Sequence, residues 1–157
     1  MIIISQNCLA ANLYRHHIKE AFPHPFVYCV IDYTSMSNLI RSWNDIDFHK
    51  YEWLLKEYPI LLLEHDIKIQ FVHYTSTHDA DEKYNKRLSR MQLCNYSNPL
   101  FAICNHGTTF PDALYTNDEL DMLAEYNNVV ELRGMDNMHP MHAADVFYNN
   151  HKELLNG

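Results

Sequence analysis

The sequence predicts an α/β domain of three layers whose sheet is mostly parallel with at least one antiparallel pair. Short apolar, β-rich runs recur along the chain at 2–5, 26–31, 60–63, 67–72, 100–104 and 129–132. Segments with helical spacing alternate with them, the pattern of crossover helices covering both faces of a parallel sheet. Two of the runs, Ile60–Leu63 and Ile67–Val72, are separated only by Glu64-His65-Asp66, short enough for a hairpin. At 157 residues the chain fits one domain, 1–157, able to bury roughly 70% of its unfolded surface.

Each element has its own warrant. Ile2–Ser5 reads as a short buried strand ending in a polar Ser-Gln-Asn. Leu9–Glu20 lacks Pro and Gly and places Ala10, Leu13, Tyr14 and His17 on one side, which predicts a helix. Pro23 and Pro25 punctuate the way to a second strand, Phe26–Ile31. Thr34 or Ser35 suits the cap of a helix through Trp43, and Asp45 or Asp47 the cap of another through Glu57. After the hairpin, His78–Gln92 is acidic in its first turn and basic later, as the macrodipole favours. Leu100–Cys104 is a buried strand, and Thr116-Asn117-Asp118-Glu119 is a capping box opening a helix to about Tyr126. Val129–Leu132 is the last strand, and Pro140 starts a closing helix to Leu155.

Composition narrows the function classes. Twelve basic residues against twenty acidic ones, a net charge of -8, argue against non-specific nucleic-acid binding. The three glycines, Gly107, Gly134 and Gly157, form no phosphate-cradling pattern, which argues against Rossmann-type and P-loop nucleotide binding, and no motif names a cofactor. Cys8, Cys29, Cys94 and Cys104 fall at no metal-ligand spacing. No run approaches a membrane span and no signal peptide is evident, so a cytoplasmic protein with reduced thiols is expected. Eleven histidines, among them His16-His17, His65, His78, His139 and His142, offer ligands, but no HExxH occurs and solvent-facing or satisfied imidazoles are expected instead of a metal site.

The chemistry centres on Cys8. It sits at the end of a strand and the start of a helix, where backbone N–H groups and the macrodipole should lower a thiol's pKa below about 8.5. The alternative is a small hydrophobe packed under the helix. In a parallel sheet the carboxyl ends of the strands gather on one rim, bringing together Asn7-Cys8, Asp32, His73-Tyr74, Asn105-His106-Gly107 and Arg133 to Asp136. A nucleophile and two candidate bases result, with His73 preferred over His106 because it ends an uninterrupted strand. A second constellation, Lys83, Lys86, Arg87 and Arg90, occupies roughly a third of one helix's circumference. It suits an anion, such as the diphosphate of a nucleotide-activated donor or a carboxylated sugar. The alternative is a solvated face paired with its own carboxylates through Asp79–Lys83 and Glu82–Lys86.

Three segments together, Ile3-Ile4-Ser5-Gln6-Asn7-Cys8, Phe71-Val72-His73-Tyr74 and Ala80 through Arg87 with Arg90, resemble a bacterial domain of unknown function associated with exopolysaccharide and capsule biosynthesis. The Asn-Cys opening and the basic helix also look like a related group of papain-like cysteine peptidases. The resemblance implies an α/β fold and a glycan-biosynthetic setting, and it covers the chain to about residue 105. Two positions depart from it: Leu9-Ala10-Ala11 where a glycine-containing segment is usual, and Tyr84 where tryptophan is. The resulting expectation is an enzyme of surface-polysaccharide assembly or modification, performing thiol-dependent acyl transfer or hydrolysis on a glycan or nucleotide-activated precursor. Cys8, His73 and His106 would be catalytic, and Asn7, Tyr74, Lys83, Arg87 and Arg90 substrate-binding. A papain-like hydrolase and a non-catalytic module binding a sugar phosphate or a protein are the alternatives.

Overall fold

A computed structural model describes residues 1–107 and 110–156, so Gly157 lies outside the described residues. Its elements in chain order begin with β1 (Ile3–Ile4), α1 (Leu9–Leu13), β2 (Val30–Ile31), α2 (Tyr33–Ser42), β3 (Tyr51–Leu55), β4 (Pro59–Leu63) and β5 (Ile67–Gln70). They continue with α3 (Thr77–Gln92), β6 (Leu100–Cys104), α4 (Asn117–Leu123), β7 (Val129–Leu132), α5 (Pro140–Asn150) and α6 (Lys152–Asn156).

The strands divide into two sheets. Parallel pairing is confined to the order β1-β6-β7, and a four-stranded antiparallel sheet runs β2-β5-β4-β3. The expected hairpin is β4–β5, with Leu63 opposite Ile67. The parallel sheet is buried on both faces at β1 and β6, which is why β6 reads as an unbroken apolar run. Its alternate residues serve different cores. Ile2, Ile4, Phe101 and Ile103 pack with α2, α3, α4 and the antiparallel sheet. Ile3, Leu100, Ala102 and Cys104 pack with α1 and α5. Each fully buried Ile or Phe there contributes about 1.5–3 kcal/mol.

Several helix and strand boundaries differ from expectation. The first helix is α-helical only to Leu13, and Tyr14–Ile18 continue as a π-helix that ends at Lys19 with φ 60°. The widened turn accompanies a buried Tyr14 whose hydroxyl accepts from Ile3 N–H at 2.7 Å and donates to the Met1 carbonyl at 2.7 Å. The expected strand at 26–31 shrinks to β2. Before it, Phe26 N–H donates to His24 Nδ1 at 3.0 Å instead of to a ladder, and Tyr28 turns the chain with φ 57°. In place of the helix expected from Asp45 or Asp47 to Glu57, a 3₁₀ turn at Trp43–Asp45 precedes β3. Tyr51 and Trp53, two residues apart, both reach Asp81 on α3 while Glu52 and Leu54 are exposed, a strand's alternation. Asp32, rather than Thr34 or Ser35, caps α2 by accepting from Ser35 N–H at 2.8 Å. The closing helix is interrupted at His151. The α3 segment and the capping box of Thr116 and Glu119 form as expected.

Candidate active site

Cys8 follows β1 and His106 follows β6, and because these strands are parallel neighbours both residues emerge at one rim. Two amide side chains lock the rim together. Gln6 Oε1 accepts from Cys104 N–H at 3.1 Å and Gln6 Nε2 donates to Asn105 Oδ1 at 3.3 Å. Asn7 Nδ2 donates to the Cys104 carbonyl at 2.8 Å, while its Oδ1 accepts from Leu9 N–H at 3.1 Å. The result places Cys8 Sγ 3.9 Å from His106 Nε2. Asn12 Nδ2 approaches the same sulfur at 3.8 Å. Gly107 backs the histidine: its N–H donates to the Met138 carbonyl at 2.9 Å, and a Cβ there would come within 2.9 Å of that oxygen, so the close approach requires glycine.

The thiol and the imidazole face a cleft of about 220 Å³, which His73, Tyr28, Phe110 and Pro140 also line. Burial pushes the Cys8 thiol up, against the acidification expected from its place before a helix. The physical reason is local. The N–H groups of Leu9 and Ala10, which would have served a thiolate, are taken by Asn7 Oδ1 and Ser5 Oγ. The backbone of Cys8 itself opposes the effect of burial without outweighing it. Burial also pulls the His106 imidazole down, opposed by the Gly107 backbone, which disfavours the imidazolium. Both shifts favour a thiol beside a neutral base over an ion pair. His106 is 1% exposed, and its Nδ1 is buried with no hydrogen-bond partner among the described residues.

The two candidate imidazoles exchange their expected settings. His106 is the enclosed one on the sulfur. His73 is exposed, because β5 ends at Gln70 and a turn follows in which Tyr74 N–H donates to the Phe71 carbonyl at 3.1 Å. It reaches the cleft through antiparallel pairing, which sets the end of β5 beside the start of β2, and its ring lies edge-on to Tyr28 at 5.3 Å. Asn7 lines the cleft with its amide engaged in holding the rim. Tyr74 packs on Phe71 at 5.9 Å; burial pushes its hydroxyl up, with Arg87 opposing.

Lys83, Arg87 and Arg90 line a second cleft, of about 490 Å³, between α3 and the end of the first helical segment. Arg90 Nη1 donates to the Phe22 carbonyl at 2.7 Å, and the Arg87 guanidinium stacks over the Phe22 ring at 5.2 Å. Arg15 and Lys19 face them across the opening. Sequence reasoning missed that pair, whose signal was the i,i+4 spacing of two cations on the first helix.

Residues 1–151 match a family described as a domain of unknown function, DUF1919. The chain belongs to DUF1919. An uncharacterized protein of Haemophilus influenzae is 37% identical to it over 100 residues, 60% of this chain and 46% of that relative. The chain therefore spans just under half the length of the curated relative it matches.

Other residues expected at the rim, Asp32 and Arg133, do not line the Cys8 cleft of this DUF1919 chain and are spent on the fold. Besides capping α2, Asp32 pairs with Lys68 at 3.6 Å, and Arg133 pairs with Asp121 at 2.7 Å and Glu131 at 3.1 Å. Among the described residues one trio with possible metal-ligand spacing occurs, His78, Asp79 and Glu82, all exposed on the first turns of α3. No helix of the described residues is long and apolar enough to cross a membrane.

Proposed function

We propose that this protein is a thiol-dependent enzyme that transfers or hydrolyses an acyl group on a glycan or its activated precursor, working in the cytoplasm in surface-polysaccharide assembly. The observation that supports it is the 3.9 Å approach of Cys8 Sγ to the enclosed His106 Nε2 at the mouth of a cleft. A neutral imidazole beside a neutral thiol suits general-base activation. His106 takes the thiol proton as sulfur attacks the acyl carbonyl. The C–O bond of the donor then breaks, the leaving oxygen receives that proton, and a thioester remains on Cys8. Water or an acceptor hydroxyl, deprotonated by His106, resolves the thioester and regenerates the thiol. The glycan setting rests on the resemblance described above, and the small apolar-walled cleft suits an acyl group better than a peptide strand.

The test uses p-nitrophenyl acetate as acyl donor, with release of the phenol and intact mass as readouts. An acetyl adduct on Cys8 is expected, absent in Cys8→Ser, with turnover slowed about 10²- to 10⁴-fold in His106→Gln. Equal turnover in Cys8→Ser and the parent protein, with no adduct, overturns the reading. A panel of O-acetylated sugars and short peptides then separates glycan from peptide specificity.

A further inference from the structure

We infer that the cleft between α3 and the first helical segment is a binding site for a diphosphate group. Six cations line it: Arg15 and Lys19 from one side, Lys83, Lys86, Arg87 and Arg90 from the other. They are half of the twelve basic residues in a chain of net charge -8, and among the described residues Glu20 is the one acidic residue lining the same cleft. If these cations formed an ordinary solvated helix face, they would pair with nearby carboxylates, Lys83 with Asp79 and Lys86 with Glu82. Neither pair forms. Among the described residues none of the six has a carboxylate within 4.0 Å, and Glu82 instead approaches His78 at 4.0 Å. An acidic protein has thus gathered unneutralised positive charge from two separate segments into one concavity.

The number of charges selects the ligand class. One carboxylate is satisfied by a single arginine fork, so a uronic acid would leave most of these cations unanswered. A diphosphate carries several negative charges over two tetrahedral groups and can engage both walls at once. The walls are braced for it: Arg90 is tethered to the Phe22 carbonyl and Arg87 is stacked on the Phe22 ring, so these two guanidinium groups are held before any ligand arrives. Lys83 and Lys86 are exposed and free to close on an anion.

The inference deepens the proposed function by naming the activating group of the precursor, and it rests on that reading only in assigning both clefts to one substrate. An aromatic ring lining each cleft, Phe22 in one and Tyr28 in the other, puts the two in contact. The Tyr28 ring lines the thiol cleft and meets Phe22 edge-on at 5.5 Å, while Arg15 from the basic cleft stands over that ring at 5.5 Å.

The probe is inorganic pyrophosphate, titrated calorimetrically into the full chain, with glucuronate as the monocarboxylate comparator. Pyrophosphate is expected to bind, more weakly as salt rises, and glucuronate to bind far less. Lys83→Gln with Lys86→Gln should weaken pyrophosphate about tenfold or more, and Arg15→Gln should weaken it independently from the opposite wall. Lys56→Gln with Lys152→Gln, which removes the same charge outside the cleft, should change it less than about twofold. Absence of pyrophosphate binding at millimolar concentration, equal loss in the two double variants, or glucuronate binding as tightly as pyrophosphate overturns the inference. Cys8→Ser should bind pyrophosphate unchanged, so failure here and failure of the thiol chemistry are read separately.

Discussion

His24 is fully buried, with Nε2 donating to the Ile3 carbonyl at 2.6 Å and Nδ1 accepting from Phe26 N–H at 3.0 Å. Both ring nitrogens are used in the neutral form, and burial pulls the imidazole down from 6.5 to about 4. Above the unfolded value both states are neutral there, and the contribution of His24 is fully present. As pH falls from 6.5 to about 4 the unfolded chain gains a proton that the folded one excludes, and stability is lost, by about 3 kcal/mol over that window. Urea unfolding of the parent protein and of His24→Gln, measured at about pH 7 and about pH 4.5, checks this: glutamine can keep both hydrogen bonds but does not titrate, so its stability should fall less with acid. The same slope in both proteins would refute it. At the candidate site the residue scale also decides what chemistry is open. Because Ser5 and Asn7 occupy the helix N–H groups, the proposed chemistry would depend on His106, the imidazole nearest the sulfur, to deprotonate Cys8.

Helix α3 shows how one element serves three neighbours. Ala80, Tyr84, Leu88 and Met91 face the core. Asp81 and Asn85 on the adjacent arc meet β3: Asp81 Oδ1 accepts from Tyr51 O–H at 2.6 Å and Trp53 Nε1–H at 2.8 Å, and Asn85 Nδ2 donates to the Tyr51 hydroxyl at 3.0 Å. The basic residues take the remaining arc and line the second cleft. The carboxylate is the pin between the helix and an edge strand. Asp81→Ala should lower stability by about 2 kcal/mol through two donors left without their charged acceptor, seen as a reduced urea midpoint with unchanged slope. An unchanged midpoint would mean that water replaces the carboxylate without cost. The same element marks what could be read in advance. The period of α3 and its acidic-to-basic gradient were visible, and so was the basic stripe, because both are properties of one continuous segment. The strand character of β3 was missed because Tyr51 and Trp53 are explained by a partner about thirty positions away, not by their own neighbours. The stub before β2 was missed for a related reason: apolar Phe26 and Val27 are buried as a strand would be, but in turns set by the His24 side chain. Cys8 at the rim followed from local order alone. Which imidazole reaches it depended on sheet pairing, which periodicity does not encode: β6 is parallel to β1, whereas β5 belongs to the antiparallel sheet.

At the scale of the molecule, the two sheets share their core, with the parallel sheet as common wall. β1 and β6 give alternate residues to the two hydrophobic clusters, so neither cluster can open without exposing one face of the same strands. Polar ties join the sheets as well: Ile31 N–H in β2 donates to the Gln6 carbonyl beyond β1 at 3.1 Å, and Tyr115 O–H donates to the Ile31 carbonyl at 2.6 Å. This coupling predicts one cooperative unfolding transition for the chain. Fluorescence reports one face, since Trp43 is buried in that cluster and Trp53 packs against it. Cys104, fully buried on the other face, reports the second through its reaction with a disulfide reagent. In a protein carrying Cys8→Ser, Cys29→Ala and Cys94→Ser, leaving Cys104 as its thiol, the two probes should give the same urea midpoint. Reaction of Cys104 well below the fluorescence midpoint would show that the α1–α5 side detaches by itself. The rim that holds Cys8 against His106 would then be a seam between two units, and the geometry on which the proposed chemistry depends would not outlast the loss of that layer.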